Sequence, residues 1–384
     1  MKANFFDDNF RKHLYPLTLT RPTAALRIGV NTIAEKWEAI LKLDDYGYKT
    51  ENYLSELFPK IGAGLFINGR VLPTERLAEE ISKLKEGEYL VRGDVTLAYF
   101  GNSSHMISYT DDVEMINRCH DIFAKVGEEI ERDFHVLTEG RESQKIHPTV
   151  IQIKKHPIFI EEGVKAQACI LNSSDGPIYI GKNAQIMEGA MVRGPFSLGE
   201  NSTLKMGAKI YGPTAVGPHC KVGGEVNNSV FLGYSNKGHD GFLGNAVLGE
   251  WCNLGADTNN SNLKNNYDQV RIWNYEMESF ERTGMQFCGL VMGDHSKTGI
   301  NTMLNTGTVV GVSANIYGGG FPRNFIPSFA WGGSSGFSTY QINKAIETAK
   351  NVYQRRGKNF GVDEEHLFEY IFKNQSQFRN WEKR

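Results

Sequence analysis

The stretch Ile180-Gly181-Lys182-Asn183-Ala184-Gln185-Ile186-Met187-Glu188-Gly189-Ala190-Met191-Val192 decides the fold, because it opens a six-residue beat. Ile180, Ile186, Val192, Leu198, Leu204, Ile210, Val216 and Val222 stand six positions apart without a gap. Four places after most of them the residue is small: Ala184, Ala190, Ser202, Ala208, Thr214 and Cys220, with Phe196 the exception. Glycine follows directly at Gly181, Gly199, Gly217 and Gly223. A second run keeps the beat at Met292, Thr298, Leu304, Val310 and Ile316, with Ser296, Thr302, Thr308 and Ala314 four places on. A helix needs apolar spacings of three and four and a lone strand needs two; neither sustains six. One hexad makes a short flat strand and a turn, and three hexads close a triangular coil. The aliphatic side chain points into the prism, where the coils above and below bury it. The expectation is a parallel β-helix, an all-β domain, over residues 151–337.

The flanks read differently. Residues 1–150 mix short apolar runs such as Gly64-Leu65-Phe66-Ile67-Asn68 with helical spacing over Thr32–Leu41, Leu77–Leu84 and Asp121–Leu137, so an α/β domain is predicted there. Residues 338–384 carry Ile342, Ala345, Ile346, Ala349, Val352 and Tyr353 at helical spacing, then a second helix from Glu364 to about Trp381. A helical segment capping the open end of the coil is the expectation, since an uncapped end exposes unpaired backbone.

Composition narrows the function. With 42 basic and 44 acidic residues the chain is near neutral, which argues against a nucleic-acid or membrane partner. No apolar run is long enough for a membrane span, and the start, Met1-Lys2-Ala3-Asn4-Phe5-Phe6, has no apolar signal core. Cys119, Cys169, Cys220, Cys252 and Cys288 are scattered, without a Cys-x-x-Cys pair. Reduced thiols, no structural metal and a cytoplasmic location are therefore expected.

Solenoids place function where the repeat breaks. The first break lies between Leu232-Gly233 and Leu243-Gly244, read as a protruding loop over Tyr234–Phe242. The second runs from about Ala256 to Phe287 and is rich in asparagine, with Asn259, Asn260, Asn262, Asn265 and Asn266 before Tyr267. Its density of asparagine, and Trp273, point to a packed and hydrogen-bonded insertion. The motif Lys237-Gly238-His239-Asp240-Gly241-Phe242-Leu243-Gly244, then Asn253-Leu254-Gly255-Ala256 and Ser261-Asn262, resembles the acetyltransferase half of the bifunctional enzymes that acetylate glucosamine-1-phosphate and then uridylylate it. Those proteins are hexapeptide-repeat left-handed β-helices, so the resemblance implies that hand, a homotrimer, and acetyl-CoA as co-substrate. It implies His239 as the catalytic base; a histidine titrates near neutral pH and so can take the proton that an attacking amine must lose. Asn253 and Asn262 match asparagines that contact the sugar or its phosphate. Asn227 aligns with a substrate-binding lysine, and Tyr267 is placed to serve for a tyrosine after the insertion. The phosphate-contacting arginine has no clear counterpart, and Arg193, Lys205 and Lys264 are the replacements considered. Ser296, Thr298 and Ala314 fall where the family lines its acetyl-CoA groove. His147, His219 and His295 fit no such pattern and read as structural.

Near the start, Tyr15-Pro16-Leu17-Thr18-Leu19-Thr20-Arg21-Pro22 and Ile33-Ala34-Glu35-Lys36-Trp37 resemble sugar-phosphate nucleotidyltransferases. That family has a glycine-rich phosphate loop just before; here it reads Asp7-Asp8-Asn9-Phe10-Arg11-Lys12. The family's lysine is Thr23, and its magnesium-holding aspartate, in Asn-Gly-Asp, is replaced in Asn68-Gly69-Arg70. An arginine cannot ligate a metal but can bind phosphate. Arg21, Arg27 and Arg70 are thus the candidate anion contacts, Asp94 is a weak match for a carboxylate, and magnesium enters only if this domain is active with UTP or another nucleoside triphosphate. Three functions follow. The first is acetyl transfer from acetyl-CoA to an amino-sugar phosphate such as glucosamine-1-phosphate. The alternatives are a sugar-1-phosphate nucleotidyltransferase whose β-helix serves assembly, and a non-catalytic sugar-nucleotide binding protein. His239 favours the first, and the glycine-free loop weighs against the second.

Overall fold

The computed structural model describes residues 1–102 and 104–383. The hexads fold as the beat dictates, into a three-sided parallel β-helix. Each face is a stack of two- to four-residue parallel strands, one per coil. The hexad aliphatics form one continuous apolar column inside the prism, from Ile160 to Ile326. Phe196, the oversized member of the small-residue series, is fully buried in the same column.

The first face, running from Ile158–Ile160 to Phe325–Ile326, has outward residues as buried as its inward ones. Phe159, Tyr179, Ser197, Ala215, Val230, Val247, Val291 and Val309 are all covered. The cover is the N-terminal domain. Its mixed six-stranded sheet, with Leu65–Asn68 and Val95–Phe100 at the centre, carries helices α1 (Ile33–Leu41), α2 (Glu75–Ser82) and α3 (Cys119–Thr138). Thr32 caps α1 in a reciprocal capping box with Glu35, which satisfies two backbone donors at the helix start. The amphipathic α3 lies along the covered face: Ile122, Phe123, Val126 and Ile130 join one apolar cluster with Ala215, Val230, Val247, Val291 and Val309. The two halves share a core.

Two expectations need correction. Tyr234–Phe242 is not a protruding loop. Asn236–Lys237 and Phe242–Gly244 are regular strands of successive faces, and only Gly238–Gly241 turns between them. The beat of six runs through Phe231, Lys237 and Leu243, shortens to five at Leu248 and returns to six at Leu254; Lys237 takes an aliphatic position, in register with Val222 and only 1% exposed. A polar residue at a core position disguised a hexad as a break. Second, α4 (Ile342–Gln354) and α5 (Val362–Asn374) do not simply cap the open end. They lie on the flank, where Ala345, Ile346, Ala349, Leu367, Phe368 and Ile371 pack with Leu19, Leu54, Val312 and Phe329. The end is closed instead by an antiparallel hairpin, Ala330–Gly333 with Gly336–Thr339, against which Trp381 packs.

The asparagine-rich insertion is ordered. Asn259–Asn260 continues the third face, and Arg271–Asn274 pairs antiparallel with Ser279–Arg282. Among the described residues no helix is long and apolar enough to cross a membrane, and the five cysteines are free and buried.

Candidate active site

The second face carries the groove that His239 overlooks. Here each outward residue directly precedes an inward one, and register stacks Lys221, Asn236, Asn253 and Lys297 in one column across four strands. Neighbouring strands lie about 4.8 Å apart, so these side chains form a continuous polar stripe. At the corner between the covered and second faces, Trp251 stacks on Tyr234 (4.2 Å between ring centres) and Tyr234 on His219 (4.6 Å). Tyr353 of α4 closes the ladder on Trp251 at 4.1 Å. That stacking sets α4 beside the stripe, and Arg356 reaches across to donate to Asn236 Oδ1 at 3.2 Å.

The result is a cavity of about 710 Å³ lined by Lys205, Lys221, Lys297, Arg355, Arg356 and the exposed His239, with Asn253 and Gly255-Ala256 along its wall. None of those five cations has a carboxylate partner among the described residues, and no carboxylate lines the cavity. Burial, and then repulsion from Arg356, Lys205 and Arg355, lowers the Lys221 ammonium pKa. Burial brings Lys297 down to about 8. A concave surface with unpaired cations is built for a phosphorylated anion.

His239 sits on the Gly238–Gly241 turn, at the corner between the second and third faces. The buried Lys237 holds that turn from inside: its Nζ donates to the carbonyls of His239 (2.8 Å) and Asp240 (3.2 Å). Burial lowers this ammonium to about 8, with Asp240 and Asp257 opposing. Phe242 N–H donates to Asn259 Oδ1 at 2.7 Å, and Asn260 bonds both the amide and the carbonyl of Gly244. The asparagines read as an insertion signal thus brace the strand after the turn.

Of the residues singled out from sequence, the structure brings together His239, Asn253 and Lys205. Arg193 and Asn227 stand on the third face, in a second outward column with Tyr211. Asn262 is engaged elsewhere, its amide donating to Asn245 Oδ1, and Tyr267 is exposed in the insertion. Ser296, Thr298 and Ala314 point inward. Ser296 Oγ donates to Gly311 O and accepts from Ala314 N, and Thr298 pairs with Thr258. Their side chains cannot line a groove; the outward position between them, Lys297, does. Lys221, Lys297, Arg355 and Arg356 were missed. His295 is buried under the aromatic ladder, and burial holds its pKa well below the usual value. This leaves it neutral and structural.

In the N-terminal domain the three candidate arginines do not form one pocket. Arg21 is buried between Asp294 and Glu250 of the β-helix. Arg27 donates to the carbonyls of Leu232 and Val30. Both tie the domain to the coil. Arg70 reaches back to Asp8, its Nε 2.9 and 3.0 Å from the two carboxylate oxygens, and also bonds Asn117. Phe10 covers its guanidinium at 4.5 Å. Burial raises the Asp8 carboxyl, but Arg70 more than offsets this and the pKa is lowered overall. Asp7 is likewise consumed, by Arg11, Thr50 and the Thr23 amide. The two carboxylates therefore do not stand free to repel a triphosphate. They and Arg70 lock the loop onto the strand end, and these residues do not fit a magnesium ion. Among the described residues no group of three or more metal-ligating side chains exists.

Residues 3–142 match the sugar nucleotidyl transferase family. The chain is also similar to the bifunctional protein GlmU of Methanocaldococcus jannaschii, 30% identical over 87 residues, and to the bifunctional sugar-1-phosphate nucleotidylyltransferase/acetyltransferase of Sulfurisphaera tokodaii, 33% identical over 95 residues. These matches span 23% and 25% of this chain, and only 21% and 23% of the two curated relatives. Among solved structures, the UDP-N-acetylglucosamine acyltransferase LpxA of Bacteroides fragilis aligns at 13% identity over 59% of this chain and 96% of its own, with a TM-score of 0.33. The polysialic-acid-specific acetyltransferase NeuO aligns at 12% identity over 55% of this chain and 99% of its own, with a TM-score of 0.30.

Proposed function

We propose that the protein is an acetyl-CoA-dependent N-acetyltransferase acting on an amino-sugar phosphate. The observation that carries this reading is the exposed His239 imidazole at the rim of a groove with five unpaired cations. Both substrates bear phosphate, and the groove supplies matching charge. His239 accepts the proton of the sugar amine as its nitrogen attacks the thioester carbonyl carbon. Ala256 lies on the cavity wall, and its backbone amide would receive the developing oxyanion. Collapse breaks the carbon–sulfur bond, and the CoA thiolate takes the proton back from His239. Asn253 and Lys205 serve the acceptor, while Lys297, Arg355 and Arg356 serve the phosphates of CoA. Thiol release from acetyl-CoA, measured with a panel of amino-sugar phosphates and their unphosphorylated forms, tests the reading. Turnover with at least one phosphorylated amino sugar is expected, and thiol release no faster than without acceptor across the panel would refute it.

For the N-terminal domain, we read a nucleotidyltransferase scaffold whose catalysis is weak, because the Asp8–Arg70 lock stands where a phosphate loop and a metal carboxylate belong.

A further inference from the structure

The inserted hairpin has two faces with different employment. On one, Ile272 and Tyr275 join the apolar core under the N-terminal domain, Asn274 bonds His13, and Glu281 pairs with Arg118 at 2.8 Å. On the other, Trp273 and Phe280 are cross-strand partners, edge to face at 5.4 Å. Trp273 lies flat on Phe325 at 4.3 Å, whereas Phe280 stays 43% exposed. These rings line a cavity of about 930 Å³ between the hairpin, the last coils and the C-terminal segment. Lys264, Arg271 and Arg323 line it too, and none has a carboxylate partner among the described residues. The single lining carboxylate, Glu278, accepts from Gln377 at 3.3 Å. No lining residue is shared with the His239 groove.

The exposed Phe280 ring, backed by Trp273 and set beside three cations without a carboxylate partner, suits a flat ring joined to a multiply charged anion. Nucleobases stack on aromatic side chains whatever their identity, and arginine and lysine suit phosphate oxygens. The volume lies in the range of small-molecule sites rather than of an extended polymer track. We propose that this cleft is a second ligand site, which takes a nucleoside diphosphate with its base against Phe280 and Trp273 and its phosphates against Lys264, Arg271 and Arg323.

The test is tryptophan-fluorescence titration of the full chain with UDP, ADP, CoA, uridine and inorganic pyrophosphate, repeated on Arg271→Ala, Arg323→Ala and Trp273→Phe. Both arginines are exposed, so their removal should leave the fold intact. Saturable quenching by UDP or ADP is expected, with the preferred nucleotide naming the base. Uridine and pyrophosphate should each bind at least about tenfold more weakly than the nucleotide, since each makes half the contacts. Arg323→Ala should weaken nucleotide binding by a similar factor at unchanged acetyl transfer, and Trp273→Phe should abolish most of the quench. Absence of saturable quenching, wild-type affinity in both arginine variants, or loss of binding on Lys297→Ala instead would each overturn the proposal. The last outcome would place the nucleotide in the His239 groove. Because the readout is binding, failure here leaves the acetyl-transfer reading standing, and the reverse.

Discussion

At the scale of single residues, Lys237 is the most informative. Its stem fills an aliphatic slot while its ammonium holds the turn that carries His239. Burial lowers its pKa to about 8, so the fold disfavours the charged form. That penalty on stability is full at pH 7 and is relieved as pH rises from about 8 toward the unfolded value. Lys237→Met keeps the packing and removes the tether. We expect kcat to fall about tenfold or more, as a displaced catalytic group loses its alignment, while urea denaturation at pH 7 shows stability equal or higher. Lower stability with normal kcat would reverse the assignment. Lys297, also at about 8, loses its charge as pH rises through that value. The KM for acetyl-CoA should therefore climb above pH 8, and Lys297→Ala should show a raised KM without that climb. A KM flat to pH 9 in the wild type would rule this role out. The outward lysines were open to reading from the sequence, because every hexad places an outward residue just before its inward one: Lys221 before Val222, Asn253 before Leu254, Lys297 before Thr298. Lys237 hid that rule by breaking the hydrophobic code. Arg355 and Arg356 could not be found this way, since a separate helix delivers them through the Tyr353–Trp251 stack.

At the scale of elements, the period of six was enough for the β-helix, since no other regular structure repeats so. The helices α1, α2 and α3 were legible from apolar spacing. Their docking was not: burial of both sides of the first face shows in sequence only as paired apolar residues, such as Phe159 beside Ile158 and Ile160, or Val309 beside Val310. The N-terminal strand end is held shut by its own side chains. With Arg70 locked to Asp8 and no cluster of metal-ligating side chains among the described residues, pyrophosphate release from UTP and N-acetylglucosamine-1-phosphate with magnesium should stay far below about 1 per second, the low end of ordinary enzyme turnover. A rate at or above that would show the lock opens and catalysis survives.

At the scale of the molecule, the N-terminal domain occupies one face of the prism and leaves two. The third face exposes Ile151, Ile153, Met191 and Tyr211, between 43% and 59% accessible, in the two outward columns that also hold Arg193 and Asn227. Such an apolar stripe on a flat regular surface suits repeated packing of identical chains, and His239 stands at its corner with the groove. Three chains arranged cyclically would bring one protomer's third face beside the next protomer's groove, giving Arg193 and Asn227 a place near substrate. Light scattering should report three times the chain mass, and Tyr211→Glu with Met191→Glu should reduce it to one. A wild-type monomer that still transfers acetyl would contradict this arrangement.

The most direct measurement is the rate of CoA release from acetyl-CoA with the preferred amino-sugar phosphate, for wild type against His239→Ala. Loss of a general base predicts a fall of about 100-fold or more in kcat, with folding intact because His239 is exposed on a turn held by Lys237. A variant turning over within a few-fold of wild type would contradict the account at its centre.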